Sequence, residues 1–170
     1  MLRCSHSHAP GRDEVEGLSR HAQDLAALRI DGLVLGFLRR GQVDLVATRQ
    51  VLSHAPNLRA TFHRAFDETT HPLAEIERLK ELPQLDRILT GGGDGSWETR
   101  AKRLERYQQA AAPEITILAG GGLDRTSVQG LMSKTRLREF HAGRAVRVPG
   151  KTWGVVRAKR VRELVACLHR

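Results

Sequence analysis

One short segment of the chain is repeated almost letter for letter. Residues 88–93 read Ile-Leu-Thr-Gly-Gly-Gly, and residues 117–122 read Ile-Leu-Ala-Gly-Gly-Gly, 29 residues later. Each copy is an apolar stretch typical of a buried strand, followed by a glycine turn and then by residues with helical spacing. A strand followed by a helix, repeated at this distance, is the unit of a parallel sheet with helices packed against it.

The same unit extends along most of the chain. The sequence predicts five strands, at residues 32–37, 58–63, 87–90, 115–119 and 138–141, and five helices, at residues 13–28, 44–52, 72–80, 96–111 and 124–132. No GxGxxG phosphate loop follows an early strand, which argues against a doubly wound dinucleotide-binding sheet. We therefore expect an α/β fold of the TIM-barrel type, (β/α)8.

The predicted barrel is incomplete. A barrel of this type has eight strands and about 250 residues, whereas this chain has 170 residues. Residues 2–4 suggest the remnant of one more strand, so about the first two strand–helix units are missing from an expected single domain over residues 1–170. Apolar residues near the end recur at helical spacing, and residues 151–170 are predicted to form a basic C-terminal docking helix; these apolar residues are Val161, Leu164, Val165 and Leu168.

The chain is strongly basic, with a formal charge of +9 from 28 Lys and Arg against 19 Asp and Glu. Residues 147–170 hold seven of the basic residues and one acidic residue, Glu163, so they alone contribute +6. Such a surface attracts phosphates or nucleic acid. However, aromatic residues make up only 4% of the chain, which leaves few platforms on which bases could stack. We therefore expect a solvated basic surface and no nucleic-acid partner.

The sequence also bears on location. The apolar runs, such as residues 32–38, are far shorter than the roughly 20 residues of a membrane span. The first residues lack the apolar core of a signal peptide. These features predict a cytoplasmic chain that does not contact a membrane. Cys4 and Cys167 lie at opposite ends, and both are expected to be reduced thiols.

Candidate catalytic residues lie in residues 61–67, which read Thr-Phe-His-Arg-Ala-Phe-Asp. Active sites of parallel barrels lie at the carboxyl ends of the strands, and the strand predicted here ends near His63. His63 could then transfer a proton, Arg64 could hold an anion and Asp67 could orient them. The alternative is that Arg64 and Asp67 only tie down the loop, with His63 buried and hydrogen-bonded.

Two glycine triplets follow strands at the same end of the predicted sheet. Such loops let the backbone approach a ligand and offer N–H groups, and barrels often bind phosphate after their last two strands. The candidate ligand-binding residues here are Thr90, Gly91, Gly92, Gly93, Gly120, Gly121, Gly122 and Arg144. The alternative is that both triplets are only tight turns from a strand into a helix.

Glu139 and His141 share a face of the last predicted strand. A carboxylate and an imidazole on one face could act as an acid/base pair. The alternative is a histidine that faces the core with a carboxylate partner.

Metal ligands are another candidate. Cys4, His6 and His8 would lie on one side of an extended N-terminus, and such ligands suit copper or zinc. No second cluster completes a tetrahedral site, so the alternative is three chance donors at a frayed terminus. The residues therefore leave the metal and any cofactor unknown.

Five segments resemble, in order and in spacing, the CutC family of copper homeostasis proteins; they are residues 31–36, 61–67, 86–92, 120–122 and 138–141. The most specific of them is the run at 61–67. The resemblance covers about residues 13–141 and extends weakly through the C-terminal helix. It implies a TIM-barrel fold, a cytoplasmic location and a role in handling copper.

The chain departs from the family pattern at its beginning. The family's first two strand–helix units, which carry the cysteines proposed to hold copper, have no counterpart here. Residues 1–3 match the third strand of the family, whose motif is Ile-Arg-Pro-Arg. Arg3 is retained and is assigned to ligand binding by this resemblance, whereas Cys4 and Ser5 replace Pro and Arg. The resemblance thus suggests copper without placing a copper ligand on this chain.

Three functions remain open: a CutC-like protein that binds copper, a TIM-barrel enzyme acting on a small anionic or phosphorylated substrate, and a non-catalytic remnant that binds a partner through its open edge. An open barrel exposes edge strands, so we expect a homo-oligomer or a marginally stable monomer. Leu33, Leu35 and Ile117 are expected to face the barrel interior and to lose the layers that cover them.

Overall fold

The computed structural model of the protein describes residues 7–168. Its elements follow one another in this order: α1 (Arg12–Ala27), β1 (Gly32–Leu35), β2 (Leu38–Arg39), β3 (Gln42–Val43), α2 (Leu45–Ser53), β4 (Arg59–Phe62), a 3₁₀ helix (Arg64–Glu68), α3 (Pro72–Leu79), β5 (Leu85–Thr90), α4 (Trp97–Ala111), β6 (Thr116–Ala119), α5 (Arg125–Lys134), β7 (Glu139–Phe140), a second 3₁₀ helix (Arg144–Val146), β8 (Arg147–Val148), β9 (Val155–Val156) and α6 (Ala158–Val165). The five strands and five helices predicted along the middle of the chain are all present.

Five of these strands form one parallel sheet in the order β1-β4-β5-β6-β7. A helix lies in each connection between neighbouring strands of this sheet, as parallel pairing requires. Among residues 7–168 the sheet does not close on itself, because β1 and β7 each pair along one side only. The predicted fold class, an incomplete barrel, is therefore confirmed.

The two faces of the sheet are buried to different extents. Leu33, Leu35 and Ile117 are at most 4% exposed and belong to the core that the helices cover. Their neighbours Val34 and Leu118 point to the other face and are only half-buried. The expectation that Leu33, Leu35 and Ile117 line the open interior is therefore wrong. In β1 and β6, apolar side chains point to both faces of the sheet. The alternation pattern alone therefore does not show which face the helices cover.

Polar side chains cap the N-termini of the helices that follow the two glycine triplets. Ser96 accepts a hydrogen bond from the N–H of Thr99 and caps α4. Asp124 and Ser127 form a capping box at the start of α5, which satisfies N–H groups that a helix leaves unpaired. Pro72 occupies the first turn of α3, where its missing N–H costs nothing. These starts agree with the sequence prediction.

The C-terminal region differs from its prediction. Residues 151–170 were expected to form one helix, but α6 begins only at Ala158. The residues before it belong to a hairpin in which Val148 pairs with Val155. Pro149 interrupts a helix, and β-branched valines favour a strand, so this segment turns back on itself. Trp153 in the hairpin loop is 75% exposed.

The suggested strand remnant at residues 2–4 lies outside the described residues. Within residues 7–168, none of the helices combines the length and the apolar character needed to cross a membrane.

Candidate functional site

His63 follows β4 directly and lies at the carboxyl end of the sheet, where it is half-buried. Its Nδ1 accepts a hydrogen bond of 3.1 Å from the backbone N–H of Ala65 and caps the following 3₁₀ helix. Because Nδ1 is the acceptor, the neutral ring carries its proton on Nε2. The imidazole of His8 stands beside it, with 5.3 Å between the ring centroids.

The carboxylate of Asp67 is the centre of a hydrogen-bond network. Its Oδ2 accepts from Nε of Arg64 at 2.7 Å, and its Oδ1 accepts from the hydroxyl of Thr90 and from the N–H of Gly91 at 2.5 and 2.9 Å. These donors occupy both oxygens, so Asp67 orients its neighbours and is poorly placed to accept a substrate proton. The pair that ties down the loop, one of the two interpretations of the sequence, is present.

Arg100, which the sequence analysis did not single out, connects the two glycine triplets. Its guanidinium donates to the carbonyl of Gly91 and, at 3.1 and 3.2 Å, to the carbonyls of Gly120 and Gly121. It also stacks on Trp97, with Cζ 3.5 Å from the ring centroid. Burial lowers the pKa of Arg100, with smaller contributions from neighbouring charges. The signal in the sequence is the spacing of Trp97 and Arg100, which share one face of α4.

Arginine side chains lie close to the second triplet, residues 120–122. Gly121 has φ +84°, and a Cβ there would stand 3.1 Å from Cζ of Arg64. A Cβ at Gly122 would stand 3.5 Å from Nη2 of Arg144. The glycines thus allow the loop backbone to approach both guanidinium groups.

Two adjoining pockets open at this end of the sheet. The first, here named the histidine pocket, has a volume of about 590 Å3 and is lined by His8, His63, Arg64, Ala65, Asp67, Glu68, Leu89 and Asp94. The second, here named the arginine pocket, has a volume of about 340 Å3 and is lined by Arg64, Leu89, Gly121, Gly122, His141, Gly143, Arg144 and Thr152. They share Arg64 and Leu89. The structure therefore brings His63, Arg64, Asp67, His141 and Arg144 to one end of the sheet.

Glu139 lines neither of these two pockets. Its carboxylate accepts two hydrogen bonds from Arg87, at 2.7 and 3.1 Å, and lines a different cavity with Thr116, Arg136 and others. The hydrogen bond to Glu139 is the main cause that raises the pKa of Arg87. The expected pairing of Glu139 with His141 is thus replaced by an ion pair across the open face.

Three candidates, Arg3, Cys4 and His6, lie outside the described residues. Thr152 lines the arginine pocket but was not predicted, because it comes from the hairpin that was interpreted as a helix. Within residues 7–168 there is no group of three His, Cys, Asp or Glu side chains that could hold a metal ion.

Comparison with known proteins shows which protein family the sequence matches. The model of the CutC family matches residues 11–146. A CutC family protein of Xanthomonas campestris pv. campestris (strain B100) is 37% identical over 130 residues, which are 76% of this chain and 54% of that protein. One from Bacteroides thetaiotaomicron is 33% identical over 129 residues, or 75% of this chain and 51% of that protein. The chain therefore spans about half the length of these relatives.

Solved structures agree on the fold. The crystal structure of a CutC protein from Streptococcus agalactiae, which is named as a putative copper homeostasis protein, superposes with a TM-score of 0.75 at 25% identity, covering 85% of this chain and 70% of that one. Endonuclease IV from Thermus thermophilus has a TM-score of 0.56 at 13% identity, covering 94% of this chain and 69% of that one. The second match concerns the fold alone.

Proposed function

Because the chain belongs to the CutC family, we propose that it serves copper homeostasis. The observation that carries this proposal is the match of the family model to residues 11–146. The name of the S. agalactiae protein supports it, and so does the superposition of that protein on 85% of this chain.

The described residues do not themselves fit a copper site. Copper(I) favours thiolate and thioether ligands. Cys167 is 4% exposed, and its Sγ donates to the carbonyl of Glu163 at 3.2 Å. Met132 is packed against the core. Within residues 7–168 no group of three His, Cys, Asp or Glu side chains could hold a metal ion, and the proposed role therefore assigns no copper ligand to Cys167 or Met132.

Disruption of the gene in its own host tests the role. We expect the copper concentration that halves growth to differ between the disrupted strain and its parent. Returning the gene should restore the parental value. Zinc sulfate is the control, because a general defect in growth would change tolerance to both metals. Identical copper tolerance with and without the gene would show that the proposed role is wrong.

A second candidate function is an enzyme of the TIM-barrel type that acts on a small anionic or phosphorylated substrate. The observation that favours it is the composition of the arginine pocket, whose lining includes Arg64, His141 and Arg144 and no carboxylate. Arg64 would hold the anion, with Asp67 fixing its guanidinium. His63 would move a proton through Nε2, from the neighbouring histidine pocket.

Ligand screening with matched variants tests this second candidate. We expect small anions to raise the melting temperature of the chain, and Arg64→Gln to remove most of that effect because the anchoring charge is lost. His63→Gln should retain binding but abolish turnover of any substrate found. If no small anion stabilises the chain, the second candidate function is wrong and the family role is unaffected.

A further inference from the structure

The two glycine triplets differ in how their backbone N–H groups are used. In the first triplet, residues 91–93, the N–H of Gly91 donates to Asp67 at 2.9 Å. The N–H of Gly92 donates to the hydroxyl of Thr90 at 3.0 Å. These donors are satisfied within the protein, so this part of the first triplet has none to offer a ligand.

The second triplet leaves donors available. The N–H of Gly120 bonds to the carbonyl of Thr90 at 2.9 Å. The N–H groups of Gly121 and Gly122, in contrast, find no acceptor within residues 7–168. Both glycines have positive φ, +84° and +91°, and both line the arginine pocket. Consecutive amides in such a turn form a concave site for an anion.

The start of α5 is not itself the receptor for that anion. The carboxylate of Asp124 accepts from the N–H of Ser127 at 2.8 Å, and the hydroxyl of Ser127 accepts from the N–H of Asp124 at 2.8 Å. This capping box occupies part of the helix N-terminus with a negative charge. An anion at this end of β6 must therefore rely on the glycine amides and on side chains.

Two arginine side chains, Arg144 and Arg64, lie beside these amides. Arg144 has no ion pair among the described residues, and a Cβ at Gly122 would stand 3.5 Å from its Nη2. Arg64 uses Nε for Asp67, whereas its Nη1 lies 3.2 Å from the position of a Cβ at Gly121. Thr152 adds a hydroxyl to the same pocket. Two guanidinium groups, two amides and a hydroxyl match a tetrahedral dianion.

We propose that the arginine pocket binds the phosphate group of a small phosphate monoester, whose organic part passes over Leu89 into the histidine pocket toward His63. This inference rests on the second function proposed above and commits it to one ligand class and one position. The mixed lining of the histidine pocket, with His8, Glu68 and Asp94, suits hydroxyl groups on that organic part.

The test uses the full chain, labelled with 15N and titrated with inorganic phosphate, glycerol 3-phosphate and acetate. We expect phosphate to move the amide signals of Gly121 and Gly122 and to leave those of Gly91 and Gly92 in place. Arg144→Gln should weaken phosphate binding by about tenfold, because a charge-assisted contact is lost. Arg162→Gln removes the same charge from exposed α6 and should bind like the parent chain.

The ligand class has its own comparison. Glycerol 3-phosphate should bind more tightly than inorganic phosphate, and His63→Ala should remove that advantage without changing the affinity for phosphate. If the two ligands bind equally and His63→Ala changes neither, the pocket takes free phosphate and the monoester is wrong. If phosphate moves Gly91 and Gly92 and Arg144→Gln has no effect, the position is wrong although anion binding stands. If none of the three anions binds, the phosphate-monoester site and the second candidate function are both wrong, and the proposed copper role is unaffected.

Discussion

The hydroxyl of Thr90 donates to the carboxylate of Asp67 across 2.5 Å, and this contact joins residues that are 23 positions apart in the chain. The loop after β4 and the end of β5 are thereby fixed to each other. Because Asp67 also holds Nε of Arg64, the direction of that guanidinium depends on the same carboxylate. A change at Asp67 should therefore affect stability and anion binding together.

Asp67→Asn tests this connection. The amide keeps one oxygen but turns an NH2 group toward donors, so we expect the free energy of unfolding to fall by about 1–3 kcal/mol. Anion binding should weaken as Arg64 loses its fixed position. Urea unfolding and a phosphate titration measure the two effects.

Asp94→Asn is the matched control, since it removes a charge from the same histidine pocket at an exposed position. It should unfold like the parent chain. Equal stability of Asp67→Asn and Asp94→Asn would contradict the central position assigned to Asp67.

Arg100→Lys is expected to loosen both glycine triplets at once. A lysine keeps the charge but lacks the planar fork that reaches three carbonyl groups, so we expect a loss of about 1–3 kcal/mol. Amide signals from residues 91–93 and residues 120–122 should both move. Arg106→Lys changes an exposed arginine of the same helix and should leave the melting temperature unchanged; signals that move in one triplet alone would argue against a shared anchor.

Regular elements were predictable because they depend on local spacing, whereas the contacts of the site were not. The apolar periodicity of α3 and the caps at Ser96 and Asp124 are visible in the sequence. Arg100 meets carbonyl groups 9, 20 and 21 residues away, and no local pattern encodes such distances. The β2–β3 hairpin was also missed, because its turn uses Arg40 at φ +53° in place of the usual Asn or Asp.

Asp124 gives a stability that depends on pH. Hydrogen bonds from the hydroxyl and the N–H of Ser127 lower its pKa from the ordinary value of 3.8. A folded-state pKa below the unfolded one means that the ionised cap stabilises fully above the ordinary value and that this contribution disappears as the pH falls through the lowered pKa.

We therefore expect Asp124→Ala to cost about 1 kcal/mol near neutral pH and progressively less in acid. Asp124→Asn keeps a cap of similar strength without titrating, so its contribution should change little with pH. Urea midpoints of the three proteins, measured from neutral pH into acid, provide the comparison. A cost of Asp124→Ala that grows in acid would show that the sign is wrong.

Copper should bind weakly to this 170-residue chain. The sulfur atoms of Met132 and Cys167 are packed or hydrogen-bonded, and copper(I) needs at least two such ligands together. Dialysis against a moderate chelator, followed by elemental analysis, should leave far less than one copper per chain. If stoichiometric copper survives, the double variant Cys4→Ser with His6→Ala shows whether the N-terminal residues hold it.

Self-association is expected from the open face of the sheet. Val34, Leu89 and Leu118 are half-buried there, and the edges of β1 and β7 have free pairing sides among the described residues. The mass measured by light scattering should rise with protein concentration. Leu118→Glu should reduce this association, whereas Val46→Glu, at a position 76% exposed on α2, should not. A monomer with a cooperative melt above about 60 °C would contradict the expectation.

The two copies of the repeated segment differ at the residue before the glycines, which is Thr90 in one and Ala119 in the other. The hydroxyl of Thr90 accepts a hydrogen bond from the N–H of Gly92 and donates one to Asp67. Thr90 thereby connects its own glycine triplet to the loop that carries Asp67. A methyl group at Ala119 can neither accept nor donate. The two segments share positive φ at their second and third glycines, yet they differ by one oxygen atom: it holds the N–H of Gly92 in the first copy, whereas the N–H of Gly121 in the second finds no acceptor within residues 7–168.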